Sequence, residues 1–106
     1  MNAPSSGFVA VWEFTVRAEH VAAFRRAYGA GGPWVALFRQ SADYCGTELC
    51  VDPANPRRFV TIDRWTSPAA YRAFREEQRA AYAEIDLDCG TLTESERLLG
   101  EFEIVT

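Results

Sequence analysis

Apolar residues change their spacing along this chain, and each change predicts an element. Residues 8–17, FVAVWEFTVR, are rich in β-branched and aromatic side chains and too evenly apolar for a surface helix, which predicts a first strand. Over 19–28, Val21, Phe24 and Tyr28 recur at helical spacing, and Gly29 follows where a left-handed terminating residue is expected. Gly31-Gly32-Pro33 breaks this helix. Pro33 nevertheless suits a first helical position, and Trp34, Leu37 and Phe38 then share a face, so a short helical segment runs to about Gln40. Residues 44–51, YCGTELCV, read as a second strand, ended by Asp52-Pro53-Ala54-Asn55-Pro56, whose two prolines cannot continue a ladder. Residues 58–65, RFVTIDRW, form a third. Ser67 is then an N-cap with Pro68 in the first turn, and Tyr71, Phe74, Ala81, Tyr82 and Ile85 carry one apolar stripe along a long helix. Thr93 and Glu96 have capping-box spacing and predict a brief helical turn, after which 101–105, EFEIV, alternates as a fourth strand.

The order is β-α-β-β-α-β. Two such units with right-handed crossovers give the α+β ferredoxin-like fold, in which the first and third strands lie side by side in a four-stranded antiparallel sheet with both helices on one face. The central strands are apolar on both sides. Phe8, Ala10, Trp12, Phe14 and Val16 suit the helix-covered face, which leaves Val9, Val11 and Thr15 on the other; in the third strand Val60 and Ile62 oppose Phe59 and Trp65. An apolar face without a roof is rare on a soluble monomer, so a homodimer through the open sheet face is expected. Residues 1–7 are polar and read as a flexible lead-in, and 8–106 as a single domain.

Composition narrows the function. A chain of 106 residues with 48% hydrophobic content supports one core, and a formal charge of -4 offers no positive field for a nucleic-acid backbone or an anionic membrane. No apolar run has membrane-spanning length, and residues 1–7 lack the regions of a signal peptide. Cys45, Cys50 and Cys89 are odd in number and lack zinc or dithiol spacing, so they are expected as small buried free thiols in a reducing cytoplasm.

The segments EFTVRAEHVAAFRRAY, GTEL and FVTIDRWTSPAAYRAF, spread over 13–74, resemble the antibiotic biosynthesis monooxygenase family, and the likeness extends from Phe8 to Val105. It implies a dimeric α/β barrel in which two sheets pack face to face. It also implies a choice of activities: oxidation of polyketide phenols to quinones without metal or flavin, haem degradation, cyclisation, or none. The haem-degrading branch uses an Asn on the first strand and a Trp and a His on the second long helix. Those positions hold Trp12, Phe74 and about Glu84 here, so that chemistry is not expected.

Oxygenation without a cofactor needs a substrate that supplies electrons as a phenolate or enolate, and therefore a base, donors for the new anion and a dry pocket. Asp63 faces the helices and Glu13 the open side. Either could be a base with a raised pKa, or an ion-pair partner: Asp63 with Arg72 or Arg75, Glu13 with Arg64 or Arg17. His20, the single histidine, excludes a histidine-rich metal site and is expected at the surface. Trp12, Trp34, Phe38, Trp65, Tyr71 and Phe74 are either plain core or the wall of a cavity for a flat aromatic ligand, with the Gly31–Pro33 break as its mouth. The resulting expectation is a cofactor-independent monooxygenase of a small aromatic substrate, with Asp63 as base and Tyr44 or Tyr82 bonding a substrate oxygen. A non-redox cyclase or isomerase and a non-catalytic binding module are the alternatives.

Overall fold

Strand β1 (Phe8–Val16) leads through a single 3-10 turn (Ala18–His20) into α1 (Val21–Tyr28) and α2 (Pro33–Phe38). The hairpin of β2 (Tyr44–Asp52) and β3 (Asn55–Trp65) follows, then α3 (Pro68–Glu77), α4 (Arg79–Cys89) and β4 (Thr93–Glu103). The computed structural model describes residues 7–105, so of the lead-in expected at 1–7 only Gly7 falls within the described residues. The strands form one antiparallel sheet in the order β2-β3-β1-β4, the α+β ferredoxin-like arrangement with β1 and β3 at its centre.

The pleat sorts the strands as their alternation predicts. Phe8, Ala10, Phe14 and Val16 of β1 and Phe59, Thr61, Asp63 and Trp65 of β3 are buried. Phe14 meets Phe24 and Tyr28 of α1 at ring separations of 5.2 and 4.9 Å, and Trp65 meets Phe74 of α3 at 5.2 Å. Each fully buried ring of this kind contributes about 1.5–3 kcal/mol. On the opposite face Val9, Val11, Val60 and Ile62 are half-buried with no helix above them, and Phe102 of β4 is 54% exposed.

Several local expectations are corrected. Thr93 and Glu96 do not cap a helical turn; they lie in β4, opposite Val16 and Phe14. The edge of β1 would otherwise hold unpaired backbone groups, and a full ladder outweighs one local cap. Strand β3 begins at Asn55 and includes Pro56, which lies beyond the last β1 pairing at Thr15↔Arg58 and so forfeits no ladder bond there. The long helix is two, bent at Gln78 (φ -104°, ψ 23°), although neither Gly nor Pro marks the place. Gly29 is extended rather than left-handed. The break needs small residues for a different reason: a Cβ on Gly32 would lie 2.1 Å from the Ala27 carbonyl oxygen. The glycine that needs positive φ is Gly46 (132°), at an irregularity in β2. Of the thiols only Cys89 is buried; Cys45 and Cys50 are exposed, because β2 is an edge strand.

Candidate active site

Between the sheet and the helices lies a cavity of about 270 Å³. Its floor comes from the helix-facing side of the sheet: Trp12 and Phe14 of β1, Thr47 of β2, Thr61 and Asp63 of β3, and Glu96 of β4. Tyr28, Trp34, Val35, Phe38, Tyr71, Arg75, Tyr82 and Asp86 close it from the helices. The bend at Gln78 turns α4 so that Tyr82 packs on Trp34 at 5.5 Å and on Phe38 at 6.0 Å. Aromatic side chains thus make up half of the lining residues.

Asp63 is the group with unusual chemistry. It is 8% exposed and, among the described residues, enters no ion pair. The arginines expected beside it are engaged elsewhere: Arg72 bonds Glu101 at 3.5 Å, and Arg75 donates to the Tyr71 hydroxyl at 3.1 Å. The partner of Asp63 is Thr47, whose hydroxyl donates to Oδ1 at 2.7 Å. Burial pushes the Asp63 carboxyl up to about 6, against the smaller opposing effect of that bond. Thr47 has one hydroxyl proton and spends it on Asp63, so the Tyr44 hydroxyl, 2.5 Å away, donates to Thr47. Tyr44 in turn lines a second, more open hollow of about 400 Å³ with Arg39 and Cys45, and Thr47 borders both spaces. The chain Tyr44–Thr47–Asp63 therefore links the aromatic cavity to the more open hollow.

Two more polar groups of the wall lack partners. The Tyr82 hydroxyl and the Trp34 Nε1 are buried with no hydrogen bond among the described residues. Trp34 Nε1 is turned toward the Tyr28 hydroxyl and the Cys89 thiol, short of full hydrogen-bond geometry with either. Burial raises the pKa of Tyr82 and of Tyr28, so both phenols are protonated at neutral pH.

Six of the nine residues singled out from the sequence meet at this cavity: Asp63, Tyr82, Trp12, Trp34, Phe38 and Tyr71. Trp65 and Phe74 do not reach its wall; they form the layer behind, where Trp65, 1% exposed, packs against Phe38, Tyr44, Tyr71 and Phe74. Tyr44 reaches the cavity only through Thr47. Gly31 and Pro33 are not among the lining residues, while Val35 of α2 is. Glu13 is ion-paired, but with Arg58 at 2.6 Å and Arg97 at 2.8 Å rather than with Arg64 or Arg17. Those two bonds hold its carboxyl below the usual range. His20 ends the 3-10 turn away from the cavity. Thr47, Tyr28, Asp86 and Glu96 were not expected in the site.

A four-stranded antiparallel sheet with helices on one face and an aromatic-lined cavity between them places the chain among small ferredoxin-like α+β domains. The chain belongs to the antibiotic biosynthesis monooxygenase family, whose pattern it matches over residues 7–84. Comparison with curated proteins finds no match. Among solved structures it is similar to PA3566 from Pseudomonas aeruginosa (16% identity, 99% of this chain and 100% of that one, TM-score 0.69). It is likewise similar to SnoaB, a cofactor-independent oxygenase from Streptomyces nogalater (19% identity, 96% of each chain, TM-score 0.70). A third likeness is to SO0527 from Shewanella oneidensis (18% identity, 96% and 94%, TM-score 0.69). At these identities the likeness is one of fold. Among the described residues no helix is long and apolar enough to cross a membrane.

Proposed function

We propose that the cavity is the active site of a cofactor-independent monooxygenase acting on a small phenol of aromatic polyketide type, with Asp63 as the base. The observation that carries this reading is a buried carboxylate with no cation beside it, facing aromatic walls, whose pKa of about 6 lets it be ionised yet basic near neutrality. Family membership and the likeness to SnoaB support it.

In this reading Asp63 takes a proton from a phenol or from a ring carbon beside a carbonyl, leaving an electron-rich anion. One electron passes from that anion to O₂, and the two radicals join to a hydroperoxide at the same carbon. Loss of water then leaves a carbonyl, so that CH₂ and O₂ become C=O and H₂O. Tyr82, protonated and without a partner, donates to the substrate oxygen as charge develops there. Asp63 then returns its proton to the peroxide anion, which completes the hydroperoxide, and the hydroxyls of Thr47 and Tyr44, donating in turn toward Asp63, hold the carboxylate in place. The open sheet face, with Val9, Val11, Val60, Ile62 and Phe102, packs against a second copy, which roofs what one chain leaves uncovered. The three free thiols accord with a cytoplasmic setting.

The test is oxygen consumption with a panel of anthrone-like phenols, compared with product formation without oxygen. Uptake matched to quinone and lost in Asp63→Asn supports the proposal. Conversion that proceeds equally without oxygen assigns the same base to a cyclase or isomerase, and binding without conversion leaves a binding module.

A further inference from the structure

The charged groups of the cavity wall are unevenly matched. Three carboxylates, Asp63, Asp86 and Glu96, line it against one guanidinium, Arg75. Arg75 is also occupied: it bonds the Tyr71 hydroxyl at 3.1 Å and lies over the rings of Tyr71 and Tyr82 at 5.6 and 5.2 Å. Among the described residues none of the three carboxylates is in an ion pair, whereas Glu13, Glu48 and Asp52 of β1 and β2 are each bound by an arginine. Asp86 and Glu96 converge on one end of the cavity. Glu96 stands opposite Phe14 in the β1–β4 ladder, each of the two acids is near enough to Tyr28 to raise its pKa, and Asp86 raises that of Glu96. Both residues are exposed at this end of the cavity, and both carboxyls titrate above their usual range through partial burial, which Arg75 offsets only in part at Asp86.

The same end carries the rings of Tyr28 and Trp34, whose faces attract cations, and the unpartnered Nε1–H of Trp34, in a side chain 7% exposed. The missing complement is a positive charge beside an oxygen acceptor. An anionic phenolate would be repelled from this end.

We propose that the cavity selects an amine-bearing aromatic: a planar ring system seated among the aromatic walls, with its ammonium group at the end lined by Asp86 and Glu96. This rests on the cavity being the substrate site and adds the charge of the substrate to it.

The experiment uses three probes with one ring system, 1-naphthylmethylamine, 1-naphthalenemethanol and 1-naphthoate, titrated into the full chain at pH 7 by calorimetry and by tryptophan fluorescence. The amine is expected to bind about tenfold tighter than the alcohol, the naphthoate weakest, since a cation–π contact and an incompletely solvated carboxylate together contribute of this order. In D86N/E96Q the amine falls to within about twofold of the alcohol, whose own affinity is unchanged. If that double variant does not fold, E96Q alone reports the same loss in part, and the three probes on the unaltered chain already discriminate. Equal binding of amine and alcohol, or an advantage that survives both substitutions, overturns the charge preference while leaving the aromatic cavity as a ligand site. Failure of all three probes to bind overturns both.

Discussion

Replacing Asp63 by Asn should abolish turnover and make the protein more stable at neutral pH. Between its ordinary value of 3.8 and the value of about 6 that burial imposes, the carboxyl is protonated in the folded chain and ionised in the unfolded one. The folded state therefore binds the extra proton, and its stability falls as pH rises through this window. The loss is absent below about pH 4 and complete above about pH 7, where it amounts to about 3 kcal/mol. Asn is isosteric and carries no charge, and its Oδ1 still accepts the Thr47 hydroxyl, so the substitution removes the loss without opening a cavity. At pH 7.5 the variant should gain up to about 3 kcal/mol, roughly 10–20 °C in melting temperature for a domain of this size, and at pH 4 almost nothing. Urea unfolding of both proteins from pH 4 to 8 measures the difference directly. The other shifted carboxyls, Glu13 and Asp52 downward and Asp86 and Glu96 upward, act alike in both proteins and cancel. A variant less stable than the parent at pH 7.5, or a difference that does not vary with pH, would refute the argument that Asp63 is an uncompensated buried charge.

Other outcomes follow from the same geometry. The pH profile of kcat/KM should rise through about 6 as Asp63 ionises, and Thr47→Val, which removes the donor that favours the charged form, should move that limb to higher pH as well as lower the rate. Ile62→Arg places a charge at the centre of the open sheet face, and sedimentation should show the parent as the proposed dimer and the variant as single chains; equal masses at micromolar concentration would remove the case for sheet-to-sheet pairing. Trp65→Phe removes a buried Nε1–H that has no partner, worth about 1–3 kcal/mol when unsatisfied, which offsets the lost ring area. Denaturant unfolding should therefore change by only about 1 kcal/mol, against about 3–5 kcal/mol for Trp65→Ala.

The fold was legible because its signals are periodic. Alternation placed the apolar residues of β1 and Phe59, Val60, Ile62, Asp63 and Trp65 of β3 on the correct faces, and the Ser67 cap, whose Oγ accepts from Ala70 N–H at 3.1 Å, is local chemistry that a sequence displays. Strand β4 was legible only over 101–103, the part of the expected 101–105 that lies in it, since Glu94 to Arg97 bear no apolar alternation; an edge strand facing solvent need not show one. The site was half legible. Aromatic wall residues could be read from helix and strand faces, but Thr47 could not. Counting back from the turn between Asp52 and Asn55 would set Thr47 beside Val60, and the irregularity between Val51 and Asp52 slides the register so that it meets Asp63. Contacts made by register slips and by the unmarked bend at Gln78 leave no pattern in the chain itself.

That register also explains why the sheet keeps two kinds of carboxylate. In β3 the even positions Arg58, Val60, Ile62 and Arg64 face outward and the odd positions Phe59, Thr61, Asp63 and Trp65 face the helices. Arg58 and Arg64, the two arginines of the stretch paired with β1, thus fall on the open side, where they neutralise Glu13 and Glu48 at 2.6 Å each. Asp63, next to Arg64 in sequence, is kept from it by the pleat and given only a neutral hydroxyl. A slip of one residue would hand Asp63 to water and its neighbours' arginines, and with them an ordinary pKa. Asp63 is basic because of strand parity, and an acid on the opposite face, such as Glu13 between its two guanidinium groups, cannot take over its proton chemistry near neutral pH.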